Sequence, residues 1–463
     1  MKNGRFPNTD VELDVPVRWL NLAPQLPWSF PLPQDAEGED ASHGFLAGFY
    51  SDECARIERL EGQYATEPSI PIPPAVLAEY RKYRPTRLQR ACGLEQRLNY
   101  RGRIYFKRED MNPAGSHKPN TAIPQAWYAK VQGLKELVTD TGAGQWGAAL
   151  AWACQTQELA CTVFMTRSSY DSKPYRRYLM ALAGACVYPS PSELTDPGRA
   201  LLAQNPTHQG SLGIGMGEAL QYASRNPDAR LALGCMSYYA ALHQTVIGQE
   251  LMIQLTREDI EPDILIGCVG GGTNFIGFVA PFVPRLAAMP SVPPQPRLIA
   301  VESANVPVLT RGHYTYEYAD AFGVGPRVKM YTLGRDFLPP EIHAGGLRYH
   351  GKSPILSLLV HRGLVEATAV DQKEAFTAGR IFFETEGILP APESAHAIAQ
   401  VIAEVEQEKR SGSTATIVFC LSGTGYLDLP SYASLLGSSQ EEPAKSHLAS
   451  SLPPAGGEGA NFE

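Results

Sequence analysis

From about residue 85 to 436, short β-branched runs alternate with stretches rich in alanine and leucine. The runs Arg103–Lys107, Cys161–Met165, Ile264–Val269, Arg297–Val301 and Thr416–Leu421 read as strands, and Trp146–Gln157 and Leu242–Leu255 read as helices. Strands alternating with helices imply parallel sheets built from βαβ units, an α/β fold. In such folds ligands bind at the carboxyl ends of strands, where glycine-rich turns enter helices. That rule selects where chemistry is to be sought.

The flanks differ. Residues 1–84 form a proline-rich arm, and Leu22–Pro33 carries too many prolines for a regular helix or a central strand. Trp19, Trp28, Phe30 and Phe45 make it an arm that packs on the core. Gly437–Glu463 is rich in Ser, Pro, Gly and Glu and reads as a disordered tail. Between the flanks, 85–240 is expected to be an N-terminal α/β domain and 241–436 a C-terminal one. The net charge of −8 argues against nucleic acid as a partner. No apolar run approaches a membrane span, and Met1–Arg5 is not followed by a secretory apolar region, so a cytoplasmic protein is expected. The eight cysteines lack C-x-x-C spacing and read as reduced core residues. The histidines lack zinc-like spacing, so no metal site is expected.

Four strand ends carry chemistry. After the first strand, Asn112-Pro-Ala-Gly-Ser-His-Lys118 delivers Lys118 to a helix start, with Pro119 suited to the first helical position. The positive end of a helix dipole disfavours a charged amine, and a nucleophilic amine must be neutral. Gly267-Cys-Val-Gly-Gly-Gly-Thr-Asn274 follows a strand and suits a single phosphate monoester, since it lacks the lysine of a triphosphate loop. Thr139-Asp-Thr-Gly-Ala-Gly-Gln-Trp-Gly147 offers N–H groups and the Thr141 hydroxyl to a carboxylate, with Asp140 alongside as an acid or base. In Cys420-Leu-Ser-Gly-Thr-Gly425, Ser422 offers a hydroxyl at a strand end that could hydrogen-bond a pyridine nitrogen without protonating it. Lys118 with a phosphate loop points to pyridoxal phosphate held as a Schiff base.

Taken together these segments resemble the tryptophan synthase β-chain, a fold-type II pyridoxal-phosphate family, and in particular its second (β-like, type 2) lineage. The resemblance covers roughly residues 15 to 436. It is carried also by Tyr83-Arg-Pro-Thr-Arg87, Lys173-Pro-Tyr-Arg-Arg177, His243–Gly248, Lys329–Gly334, His343-Ala-Gly-Gly-Leu-Arg-Tyr-His350 and Thr385–His396. It implies two three-layer α/β domains with the cofactor in the cleft between them. It also implies roles: Lys118 as the Schiff-base lysine with His117 beside it, and Gly270, Gly271, Gly272, Thr273 and Asn274 around the phosphate, helped by Ser211. Thr141, Gly142, Ala143, Gly144 and Gln145 would hold the substrate carboxylate, Glu386 would lie near the cofactor ring, and Ser422 near its nitrogen. The implied reaction is β-replacement on L-serine through an aminoacrylate, with indole or an indole-like nucleophile adding. A specialised β-replacement or β-elimination enzyme, or a serine/threonine deaminase, stays open as an alternative. A homodimer, an α-subunit partner and a monovalent cation are further expectations of the resemblance.

Departures cluster near the second substrate. Asp140 stands where the family has glutamate, Cys235-Met-Ser-Tyr-Tyr239 replaces Ser-Val-Leu-Asn-His, and Thr424 replaces a histidine.

Overall fold

Every strand read from the sequence is present in the computed structural model, which describes residues 14–289 and 295–436. A six-stranded sheet runs in the order Glu366–Val370, Arg297–Ser303, Ile264–Cys268, Thr416–Leu421, Arg103–Arg108 and Leu88–Arg90. Its pairings are parallel except the last, which is antiparallel. A four-stranded parallel sheet runs Cys186–Ser190, Ala160–Thr166, Glu136–Thr141 and Ala229–Leu231.

Side-chain alternation explains why the larger sheet is covered on both faces. Ile264, Ile266, Ile417 and Phe419 point into a core shared with Phe382, Ile398 and Val401 from two late helices. Leu265, Val418 and Cys420 point the opposite way, into the large core that holds the smaller sheet and the arm. The continuous apolar runs of these strands are therefore the mark of burial on both sides, a three-layer arrangement.

The larger sheet draws strands from both sides of the expected boundary at residue 240. Arg103–Arg108 lies before that boundary yet pairs with Thr416–Leu421, so the chain contributes an early strand to the later sheet. The described residues up to Asp428 form one compact unit, and the segment from Leu429 is a second whose described part is one helix, Leu429–Leu436. Leu242–Leu255 is also split, into helices Tyr238–Gln244 and Val246–Arg257.

Over the described residues of the arm, Trp19, Leu46, Ile57 and Tyr80 are fully buried. Its proline-rich stretch forms only a single 3-10 turn, Ala23–Gln25. The tail reading at 437–463 lies outside the described residues. Five cysteines are buried, but Cys92 and Cys186 are exposed. Among the described residues no helix is long and apolar enough to cross a membrane.

Candidate active site

Lys118 sits immediately before helix Pro119–Gln132 with helical backbone angles, and Pro119 takes the first position as its missing N–H allows. A second proline, Pro124, lies inside this helix and cannot donate to the Asn120 carbonyl four residues earlier. The Tyr80 hydroxyl, from the arm, donates to that carbonyl instead. The Asn120 side chain is held by Arg84, Tyr83, Glu109 and Gln244. Beneath it Arg84 and Lys107 balance Glu109 and Glu250 in a fully buried four-charge network. The lysine helix is thus anchored on its inner side before any ligand is considered.

The Lys118 ammonium nitrogen lies 2.9 Å from the Gly234 carbonyl oxygen. The Thr273 hydroxyl approaches the same oxygen at 3.4 Å. The lysine and the phosphate loop, 155 residues apart, therefore meet at one acceptor. Burial lowers the basicity of Lys118, opposed by the fields of Cys235, Asp140 and Glu393. Burial also holds His117 as neutral imidazole, down to about 3, and its Nδ1 is buried without a hydrogen-bond partner.

Gly270–Asn274 joins strand Ile264–Cys268 to helix Thr273–Val279. A Cβ on Gly270 would lie 2.1 Å from the Gly346 carbonyl oxygen, so only glycine permits that approach. The Gly271 carbonyl accepts from Ser353 N and the Gly272 carbonyl from Ile276 N, leaving the loop's N–H side for an anion. The Asn274 side chain instead holds the Cys268 carbonyl at 3.1 Å.

The carboxylate loop leaves the smaller sheet at Thr141 and enters helix Gln145–Thr156 through Gly144. The Thr141 hydroxyl accepts from Gly147 N at 3.2 Å, and Ala143 is buried. A Cβ on Gly142 would lie 2.9 Å from the Gly345 carbonyl oxygen. Gly345 and Gly346 therefore touch both loops, one from each sheet. Gln145 donates to Glu393 at 3.1 Å, and Glu393 also accepts from Gly346 N at 2.7 Å. Asp140 is buried beside this loop, and desolvation pushes its carboxyl up to about 7, against the pull of Lys118.

Ser422 closes the far end. Its hydroxyl is 2.8 Å from that of Ser394 and 3.3 Å from the Cys268 thiol, and its carbonyl accepts from His117 N at 3.0 Å.

Two expected residues are engaged with other partners. Glu386 ends helix Gln372–Glu386 and accepts from Leu94 N at 2.7 Å, capping helix Cys92–Arg97 in a partly exposed position. Glu393, seven residues later in the same motif, is a second carboxylate acting on Lys118 besides Asp140. Its signal was its place in the first turn of helix Pro392–Ser411, directly before Ser394. Ser211 caps helix Leu212–Ser224 and lines a small cavity with Gly142, Gly345 and Arg348, so it accompanies the carboxylate loop rather than the phosphate loop. Sequence reasoning also missed Gly234 and the turn Gly345-Gly346, because backbone acceptors and close approaches leave no side-chain signature.

A buried amine of low basicity, an N–H-lined loop at a helix start, an unpartnered imidazole nitrogen and a hydroxyl at the opposite end together fit pyridoxal phosphate. The family model described as "Pyridoxal-phosphate dependent enzyme" matches residues 80–423. The solved structure of a fungal L-serine ammonia-lyase from Rhizomucor miehei shares the fold, with a TM-score of 0.56 at 16% identity, covering 77% of this chain and 98% of that one. The chain belongs to the pyridoxal-phosphate dependent enzymes. The "Tryptophan synthase beta chain 2" of Thermotoga maritima is 48% identical over 420 residues, 90% of this chain and 97% of the relative. That of Thermococcus kodakarensis is 45% identical over 436 residues, 94% of this chain and 97% of the relative. Within its class the chain is a member of the tryptophan synthase beta chain family.

Proposed function

We propose that this protein joins L-serine to indole, or an indole-like nucleophile, to give tryptophan or its analogue and water. The observation that carries the reading is the meeting of Lys118 and Thr273 at the Gly234 carbonyl, which sets a neutral-prone amine beside a phosphate cradle. Pyridoxal phosphate, when bound, supplies an aldehyde that captures the substrate amine and a ring that accepts the electrons left by a departing proton. Lys118 would hold it, Gly270, Gly271, Gly272, Thr273 and Asn274 would bind its phosphate with His117, and the Ser422 hydroxyl would meet its ring nitrogen. A hydroxyl there leaves the ring neutral, which favours β-replacement over transamination.

The chain's own groups supply the remaining steps. N–H groups of Thr141–Gln145 grip the serine carboxylate and fix the Cα–H bond toward Lys118. The Lys118 amine takes that proton. Asp140, whose carboxyl titrates near neutrality, gives a proton to the leaving hydroxyl and takes one from the incoming indole. Glu393 braces the carboxylate loop through Gln145 and Gly346. Burial of these groups keeps water from competing with indole, and so separates synthesis from the deamination that water would cause. The same reading extends to a homodimer in the cytoplasm, with an α-subunit as a further partner; light scattering giving twice the chain mass supports the dimer.

Purified protein mixed with pyridoxal phosphate is expected to show a visible absorbance band that Lys118→Ala lacks, and to form tryptophan from serine plus indole by mass spectrometry. No band in the native protein, or oxoacid as the sole product with indole present, sinks the reading.

A further inference from the structure

Lys352 is fully buried and takes no part in the reaction described above. Its ammonium lies 3.0 Å from the Val269 carbonyl oxygen, one residue before the three glycines of the phosphate loop. Among the described residues no other cationic side chain is hydrogen-bonded to the 268–274 segment. The next residue repeats the grip: Ser353 N donates to the Gly271 carbonyl at 2.8 Å. The Ser353 hydroxyl is also buried and has no hydrogen-bond partner.

Behind the ammonium, 3.4 Å away, lies Glu302, equally buried. Its carboxylate is already taken by Leu309 N, Thr310 N and the Thr310 hydroxyl. The pair is therefore a buried dipole with its positive end toward the loop. The front of the cradle needs such help. His117 is neutral, and the Lys118 amine is committed to the aldehyde rather than to the phosphate. With the Asn274 side chain on the Cys268 carbonyl, backbone N–H groups and the uncharged Thr273 and His117 side chains alone would face a doubly charged anion.

We infer that Lys352 is a positioning residue for the cofactor phosphate. It fixes the loop by its Val269 carbonyl and sets a buried positive charge behind the anion. The inference rests on the reading of Gly270–Asn274 as a phosphate cradle and assigns that cradle its counter-charge. Burial works against the ammonium and the Glu302 field supports it, so the two residues act as a unit.

The test uses the paired variant Lys352→Met with Glu302→Gln, which leaves no orphaned charge, beside Lys352→Gln, which keeps a donor for Val269 without the charge. Pyridoxal phosphate affinity is measured by titrating cofactor-stripped protein. The charge on the bound phosphate is read from its phosphorus NMR shift against pH. The paired variant is expected to melt near the native temperature without cofactor yet bind about 10-fold or more weakly. In both variants the phosphorus signal is expected to move toward the singly charged position at a pH where the native signal stays doubly charged. Native affinity in the paired variant, or an unmoved phosphorus signal in Lys352→Gln, overturns the inference. Native protein that binds no pyridoxal phosphate overturns the cradle reading as well, so the two failures are told apart.

Discussion

Asp140 is a carboxyl group that burial holds near neutrality, and its pH behaviour follows from that. Its carboxyl titrates at about 7, so the ionised form is lost as pH falls through that value. The indole step needs the carboxylate and is expected to fall on the acid side with a midpoint near 7. The serine step needs the acid and is expected to fall on the alkaline side, and Asp140→Asn should remove both limbs from the kcat/KM profiles. Stability runs one way only. An acid whose folded value is raised disfavours the fold as pH rises from its ordinary range through 7, so the Asn variant should lose less melting temperature over that window. Length matters as well as charge. Asp140→Glu carries the carboxylate roughly 1–1.5 Å further, a displacement that shifts rates by ~10²-fold when it corrects or spoils alignment. Indole use is expected to rise and use of bulkier substituted indoles to fall. An unchanged ratio between the two would show that the shorter side chain leaves no usable room.

At the scale of elements, the lysine helix depends on a residue of the arm. Tyr80→Phe removes the donor that replaces the missing Pro124 N–H and leaves the Asn120 carbonyl buried and unsatisfied. The expected cost is about 1–3 kcal/mol by denaturant unfolding, with a weaker hold on the cofactor. The strands are legible in the sequence because both-face burial writes continuous apolar runs such as Ile264–Cys268. Lys118, the glycine loop and Ser422 stand out because each sits at a strand end followed by a turn. Sheet order is not legible, since nothing local says that Arg103–Arg108 pairs with Thr416–Leu421. The part played by Glu393 is hidden in the same way: the resemblance points to Glu386, which ends a helix at Leu94, and only the fold shows Glu393 opening a helix against Gln145 and Gly346.

The whole molecule rests on the buried network of Arg84, Lys107, Glu109 and Glu250 where the arm, the larger sheet and helix Val246–Arg257 converge. Despite burial, the field of Arg84 and its hydrogen bonds hold the Glu109 carboxyl down to about 2. A depressed acid stabilises the fold above its unfolded value and stops doing so as pH falls toward its folded one. Melting temperature is expected to drop between about pH 4.5 and pH 2, and Glu109→Gln should flatten that drop while lowering stability at neutral pH by about 3–5 kcal/mol. A steeper acid slope in that variant would show that other carboxylates dominate. The Gly345-Gly346 turn carries a consequence of a different kind. It lies against the phosphate loop at Gly270 and the carboxylate loop at Gly142, and Glu393 ties it to Gln145. Filling one loop therefore stiffens the support of the other, and such coupling is reciprocal. A carboxylate without an amine, such as propionate, which can fill the carboxylate loop without displacing Lys118, is expected to lengthen the residence time of the cofactor when its escape is followed in dilute protein, and an escape rate indifferent to propionate would break the link. An enzyme so wired holds its cofactor hardest while substrate is present and lets it go between meals.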